Sequence, residues 1–359
     1  MSINEIIIYI MAFCAAAGAV DRIFGCKLGL GKQFEEGLLA IGTLSLSMIG
    51  ILVLAPVIAD VLEPVIVPLF RLLGADPAVF AGSILANDMG AAPLAAEMAF
   101  TKEAGDFGGL IVGAMLGVTV VFTIPAALGI ISKEDHPYSA KGILSGVITI
   151  PFGCIAGGLT AGYPIRMILQ NLFPIILIAV LIALGLWKVP NLMLRGFHIF
   201  GKGITALISF GLGAGILEAL TGFAVIKGIT PIRDGFAVVA DISIVLAGAF
   251  PFVHILTKIF RRPLMWLGSS LRMNEVAAAG MIASLANSIP MFGMIKNMDE
   301  RGKVINMAFA VSAAFVFGDH LGFTAGFNPD MILPMIIGKL TGGITAVLAA
   351  CLITRERAV

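Results

Sequence analysis

Two polar interruptions inside apolar stretches carry most of the chemistry in this sequence, and they echo each other. The first reads Gly82-Ser83-Ile84-Leu85-Ala86-Asn87-Asp88-Met89-Gly90-Ala91-Ala92-Pro93. The second reads Gly280-Met281-Ile282-Ala283-Ser284-Leu285-Ala286-Asn287-Ser288-Ile289-Pro290. Both hold Leu-Ala-Asn, a second polar residue and a proline a few positions on. The amides of Asn87 and Asn287 donate and accept, the Ser288 hydroxyl does the same, and Asp88 adds an acceptor-only charge suited to a cation. An Asn-Asp or Asn-Ser pair followed by Gly or Pro breaks a helix and frees backbone groups. In lipid such a break survives only where protein or a water-filled cavity covers it. Broken segments at matching places in two halves point to the substrate site of a transporter built from repeats. The same residue types also cap half-helices, so capping and substrate contact are two uses of the same tips.

A third interruption is Asp319-His320, within Val316-Phe317-Gly318-Asp319-His320-Leu321-Gly322. Ionisable groups inside a span are costly and mark function by default. His320 could titrate near neutral pH and Asp319 could hold a cation or proton; the alternative is an internal hydrogen bond that fixes a kink. The helix is expected to unwind at both flanking glycines. The corresponding place in the first half is Thr123-Ile124-Pro125, read as a break without charge, so the site would be asymmetric. Lys339 lies inside the last apolar run and could snorkel or neutralise an acid. Asp21 and Glu218 end their helices, where an acid is expected to be exposed. His136, His198 and His254 fall near helix ends and read as surface.

The elements that position these residues follow from composition. The chain is 59% hydrophobic and 13% charged, with a mean hydropathy of +1.04, whereas soluble domains carry about 25% charge. The expected fold is an all-α polytopic membrane protein in a lipid bilayer. Net charge of +1 gives no indication of nucleic acid. Cys14, Cys26, Cys154 and Cys351 are scattered without metal-ligand spacing, so neither a disulfide, a metal nor a cofactor is expected. Motifs for a metalloprotease, a nucleotide-binding loop or a serine hydrolase are absent from the sequence, and no catalytic residue is assigned. The first apolar run lacks the basic start of a signal peptide and is expected to remain as a helix.

A hydrocarbon core about 30 Å thick takes roughly 20 apolar residues per helix. Nine stretches meet this: 3–22, 38–58, 107–131, 141–161, 167–187, 197–220, 236–257, 303–325 and 331–353. Stretches 76–100 and 274–298 hold the interruptions and read as re-entrant hairpins, each preceded by a short interfacial helix, 60–74 and 261–272. With the N-terminus outside, Lys and Arg divide seventeen inside to five outside, with Lys339 in the last span. By the positive-inside rule the N-terminus is outside and the C-terminus cytoplasmic. Further matches recur at an offset near 195–200, among them Ala17-Gly18 with Ala214-Gly215 and Leu72-Leu73-Gly74 with Trp266-Leu267-Gly268. They divide the chain into repeats over 3–161 and 197–353, joined by a linker helix 167–187. Four crossings plus the linker make the repeats inverted, the geometry of alternating access. Gly109-x-x-x-Gly113-x-x-x-Gly117, Gly153-x-x-x-Gly157, Gly211-x-x-x-Gly215 and Gly338-x-x-x-Gly342 are read as close helix-packing faces.

Two of these stretches, residues 81–100 and 315–328, closely resemble the bacterial ethanolamine-utilisation permease (EutH) family. The resemblance is carried by Leu85-Ala86-Asn87-Asp88-Met89-Gly90-Ala91-Ala92-Pro93-Leu94-Ala95-Ala96-Glu97 and Phe317-Gly318-Asp319-His320-Leu321-Gly322-Phe323-Thr324-Ala325, and it extends over essentially the whole chain. It implies an inner-membrane transporter that admits ethanolamine for breakdown by soluble enzymes. The hairpin layout is also similar, more distantly, to that of the concentrative nucleoside transporters. For ethanolamine, Asp88 or Asp319 is assigned the ammonium, and Asn87, Asn287 or Ser288 the hydroxyl. The alternative is a Na⁺- or H⁺-coupled symporter of a nucleoside or other small polar solute. A homo-oligomer is compatible with either.

Overall fold

The computed structural model describes residues 2–354, so Arg355 and Arg357 of the charge count lie outside the described residues. Every regular element among the described residues is helical. The chain runs through α1 (Ile3–Ile23), α2 (Leu30–Leu72), α3 (Ala78–Ile84), α4 (Ala91–Met98), α5 (Lys102–Ile130), α6 (Lys133–Thr160) and α7 (Ile165–Lys188). It continues through α8 (Pro190–Thr221), α9 (Ile232–Ser270), α10 (Glu275–Ala286), α11 (Ser288–Met294), α12 (Glu300–Ala313), α13 (Asp319–Phe327) and α14 (Pro329–Ile353). Among the described residues, eight helices are long and apolar enough to cross a membrane: α1, α2, α5, α6, α7, α8, α9 and α14. The expected span 303–325 is instead divided into α12 and α13 by non-helical residues 314–318.

The short interfacial helices expected over 60–74 and 261–272 are not separate elements. Each is the continuation of the preceding span, so α2 has 43 residues and α9 has 39. At 1.5 Å per residue these are roughly 64 and 58 Å long, about twice a hydrocarbon core. Pro64, Pro68 and Pro263 lie inside the helices without ending them. A proline removes one backbone bond and bends a helix, but it does not supply the left-handed residue that stops one. That residue comes at Gly74 (φ 69°) and Arg272 (φ 55°). The N–H of the next residue then folds back, Ala75 to Phe70 O at 2.9 Å and Met273 to Gly268 O at 3.1 Å.

Segments 76–100 and 274–299 fold back on themselves, and a carboxylate closes the base of each. Asp76 accepts from Phe100 N at 3.0 Å, and Asp299 accepts from Asn274 N at 2.8 Å. Asp76 also accepts from Ala78 N in the first turn of α3, and Asn274 accepts from Ala277 N in the first turn of α10. Thr101 caps the helix after the first segment and Asp299 the helix after the second. Gly74 with Arg272, Asp76 with Asn274 and Thr101 with Asp299 are each 198 positions apart. The turn that matches Gly74 is therefore at Arg272, four residues beyond the Gly268 suggested by sequence.

Helix ends are tied in two groups. Asn4 donates to Asp330 O and accepts from Leu333 N, and Asn328 donates to Asp106. At the other end Arg301 donates to Leu271 O and Thr354 O, and Lys303 pairs with Asp135 at 2.6 Å. Asp21 is a correction: it is 4% exposed and accepts from Leu28 N and Gly31 N, which turns it into the fastener between α1 and α2. The four cysteines are free.

Candidate functional site

The site begins with two helix breaks that satisfy each other. The last four carbonyls of a helix have no partner within it, and α10 ends at Ala286 in mid-bundle. The chain between α12 and α13 turns through Phe315 in the left-handed region, φ 64°. Its freed donors meet those carbonyls: Phe315 N donates to Ser284 O at 3.0 Å and Phe317 N to Leu285 O at 2.9 Å. Gly318 completes the seam, because a Cβ there would lie 2.0 Å from Ala286 O. A bulky residue at φ 64° costs about 1–3 kcal/mol, and the paired breaks are what hold it. The sequence places unwinding at both glycines around Asp319-His320. It occurs only before Asp319, since Gly322 is inside α13.

The first segment docks on α5 without any break in α5. Residues Phe107–Gly117 and Thr119–Thr123 form wide π turns, and the helix then continues to Ile130. The break expected at Thr123-Ile124-Pro125 is therefore a widening: the ladder absorbs the N–H missing at Pro125. The tip carbonyl of Leu85 sits so close to Gly117 that a Cβ would lie 1.7 Å from it. Gly109, Gly113 and Gly117 thus form the face that accepts α3 and α4, a specific form of the packing role expected for them.

The two tips converge on the 314–320 region. From one side, Asp88 Oδ1 lies 3.8 Å from His320 Nε2. His320 is buried and stacks on Phe315 at 5.3 Å between centroids, and Phe122 meets Phe315 edge-on at 5.5 Å. From the other side come Ser284 to Ala286. Lys339 is 1% exposed and donates to Ala114 O on the π-helical part of α5. It does not snorkel, and among the described residues it hydrogen-bonds no acid.

Buried polar atoms without a hydrogen-bond partner cost about 1–3 kcal/mol each and call for explanation. Six residues with such atoms lie on the elements that meet here: both amide atoms of Asn87, Thr123 Oγ1, Ser288 Oγ, Ser312 Oγ, His320 Nδ1 and Thr324 Oγ1. Asn87, Thr123, Ser288 and His320 are residues that the sequence singles out. Ser312 and Thr324 are missed, although Thr324 lies four residues after His320 and so on its helix face. Asn287 takes the capping role, accepting from Ile289 N at 2.8 Å. Asp319 begins α13 and is half-buried. Away from this site, Glu218 has one unpartnered buried oxygen, His198 is exposed, and His136 and His254 are half-buried.

Apolar membrane-crossing helices around buried, broken polar segments define a multi-pass membrane protein. The family model "Ethanolamine utilisation protein, EutH" matches residues 3–353, and the chain belongs to that family. It is 61% identical to the "Probable ethanolamine permease EutH" of Listeria monocytogenes, over 97% of this chain and 93% of that one. It is 49% identical to the protein of the same description in Escherichia coli, over 100% and 97%. It is also 49% identical to the "Uncharacterized protein YxeR" of Bacillus subtilis, over 99% and 96%. No solved structure matches the chain, and the likeness to concentrative nucleoside transporters is not shown.

Proposed function

We propose that this chain is an inner-membrane permease that carries ethanolamine into the cell, with its N-terminus outside and its C-terminus cytoplasmic. Relatives described as probable ethanolamine permeases, at 61% and 49% identity over nearly the whole chain, support the substrate. The observation that carries the site is the half-buried Asp88 carboxylate facing buried His320 among unpartnered polar atoms. Ethanolamine is a primary amine and, by comparison with Lys at about 10.4, is almost wholly ammonium at neutral pH. Its ammonium pairs with Asp88, with Asp319 one position from His320 as the second acid. Its hydroxyl has Asn87 and Ser288 as partners, with Thr123 and Thr324 on the wall. Asn287 holds the second tip in shape. A carboxylate in a water-poor site interacts with a cation far more strongly than in water, so the site selects charge as well as shape.

The two folded-back segments act as re-entrant hairpins from opposite faces, in inverted repeats over 3–161 and 197–353 joined by the helix 167–187. The base clamps and helix caps that recur 198 positions apart support this, as does the convergence of both tips on one place. Rocking or sliding of one repeat against the other then exposes the site alternately. Proton coupling is the second reading, favoured by the 3.8 Å approach of His320 to Asp88.

Uptake of labelled ethanolamine into proteoliposomes at acid pH tests both. Equilibration without accumulation under any gradient identifies a facilitator, and uphill accumulation under a proton gradient identifies a symporter. No protein-dependent uptake, or uptake abolished by competing nucleosides, overturns the ethanolamine assignment.

A further inference from the structure

A cleft of about 530 Å³ opens where α4 and α13 end, and neither tip lines it. Its walls are Ala92, Ala96 and Ala99 along and just after α4, Asp106 near the start of α5, and Phe327 with Asn328 at the end of α13. Ala92 and Ala96 share one face of their helix. Followed inward, both walls lead to the site described above. Asp88 lies four positions before Ala92, and α13 begins at Asp319-His320 and packs against residues 87–89. The floor is closed: Ala92 and Leu110 are buried, and Phe327 stacks on fully buried Phe323 at 5.4 Å between centroids. His320, Phe323 and Phe327 follow at helical spacing along α13, so the ring pair separates the cleft from His320.

The mouth has the chemistry of a cation site. Asp106 is half-buried, and its Oδ2 accepts from Asn328 Nδ2 at 2.9 Å, which ties the two walls together. Among the described residues no hydrogen bond reaches its other oxygen, and Lys102 on the rim forms no ion pair with it. A free carboxylate oxygen and an aromatic ring on one cleft wall suit a small organic cation. Asn4 ties this end of the bundle to Asp330 and Leu333. It is therefore the N-terminal face, which the orientation proposed above places outside.

We propose that this cleft is the outer mouth of the route to Asp88, where Asp106 and Phe327 first receive the substrate's ammonium and the Phe323–Phe327 stack is the floor that parts. The inference rests on the permease reading. A carboxylate in a cleft concentrates a cation there and speeds its entry. Asp106 thus sets how dilute a supply can be used, and Asp88 holds the cation for the crossing.

Uptake of labelled ethanolamine by intact cells that hold the full chain tests the mouth from outside. Asp106→Asn keeps an acceptor for Asn328 and removes the charge. It should raise the concentration for half-maximal uptake about tenfold, the low end of such focusing, and lower the maximal rate much less. The gap between the two proteins should narrow as salt is raised, because the mouth is open to solvent, and Asp106→Glu should close most of it. Asn328→Ala removes the tie but keeps the charge. A purely structural Asp106 predicts equal changes in Asp106→Asn and Asn328→Ala at every salt concentration, and that result overturns the proposal, as does an unchanged half-saturation in Asp106→Asn. A membrane-impermeant cationic thiol reagent adds a readout without flux. Ala96→Cys should react from outside, above the background of the unsubstituted protein, and ethanolamine should slow the reaction. Absence of reaction, or of protection, overturns the route. If the unsubstituted protein takes up no ethanolamine, the permease reading fails and this inference falls with it. Uptake that is indifferent to Asp106 fails the inference alone.

Discussion

The two folded-back segments have the same parts but different surroundings. The first, α3 and α4 with the tip 85–90, is wedged between α5 and α2; even Gly90 sits where a Cβ would be 2.2 Å from Ile51. Most of its residues are buried on all sides. The second packs α10 against α9 and α12 and α11 against the end of α5, with more of its surface left uncovered. Ile289 just past its tip is 45% exposed. An apolar cleft of about 420 Å³ runs along Met281, Ile282 and Leu285, and a cleft of mixed polarity, about 550 Å³, opens between Glu275, Lys258, Met294 and His254. A segment with few buried contacts opens at low free energy, and one packed on all sides opens only with the global fold. On this argument the first segment is expected to be the firmer wall around Asp88, and the second the part that opens at least cost.

The largest expected effect tests what the two segments share. Gly117→Val and Gly318→Val each place carbon into a backbone carbonyl, of Leu85 and of Ala286 respectively. Neither seam can yield through a side-chain rotation, so each should cost more than about 3 kcal/mol and leave little protein that elutes as a single species in detergent. If Gly318→Val were tolerated while Gly117→Val was not, the second segment would not be seated on the broken span as described.

Hydrogen exchange addresses the difference directly. Amides over 283–292 should exchange about a hundredfold faster than those over 81–92, as expected of a low-stability unit against a core one. Equal protection would remove the distinction between wall and moving part. Adding ethanolamine should slow exchange chiefly in the second segment.

Transport separates the tips further. Asp88→Asn removes the charge facing His320 and should lower ethanolamine uptake by about thirtyfold or more, the size expected for truncating one partner of a buried charge pair. Asn287→Ala removes only the cap on Ile289 N, about 1 kcal/mol of helix stability, and should lower uptake by a few-fold. The reverse order would make the second tip the primary contact and Asp88 a structural residue.

Much of this comparison is legible in the sequence, and what is missed has a physical reason. Both interruptions are visible because polar residues beside Gly or Pro in an apolar run leave few alternatives in lipid. The fate of each polar side chain is not visible. Asn87 and Asn287 sit in the same Leu-Ala-Asn context, yet one is buried without a partner and the other caps a helix. That difference depends on whether α5 covers the tip, a contact made by residues about 30 positions away. The long helices α2 and α9 are misread because proline is a local signal, whereas the stop comes from Gly74 and Arg272. Lys339 is located by sequence, but its partner Ala114 is a backbone carbonyl, and no residue type announces that.

The smallest effect concerns the clamps at the two bases, and its sign is the test. Asp76 accepts from both Ala78 N and Phe100 N, which favours the carboxylate, but burial opposes ionisation more strongly and holds the group above the usual carboxylate range. The folded chain therefore binds this proton more tightly than the unfolded one. Its contribution to stability is full below the unfolded value of about 3.9 and declines as pH rises through the raised folded value. Asp76→Asn cannot titrate. The advantage in melting midpoint of the unsubstituted protein over Asp76→Asn should therefore be greatest near pH 4 and shrink toward neutrality. An advantage that grew with pH would mean that the two N–H donors outweigh burial. The first base would then be held chiefly by a charged clamp, and the firmness of the first segment would rest on electrostatics at its base rather than on packing along its length.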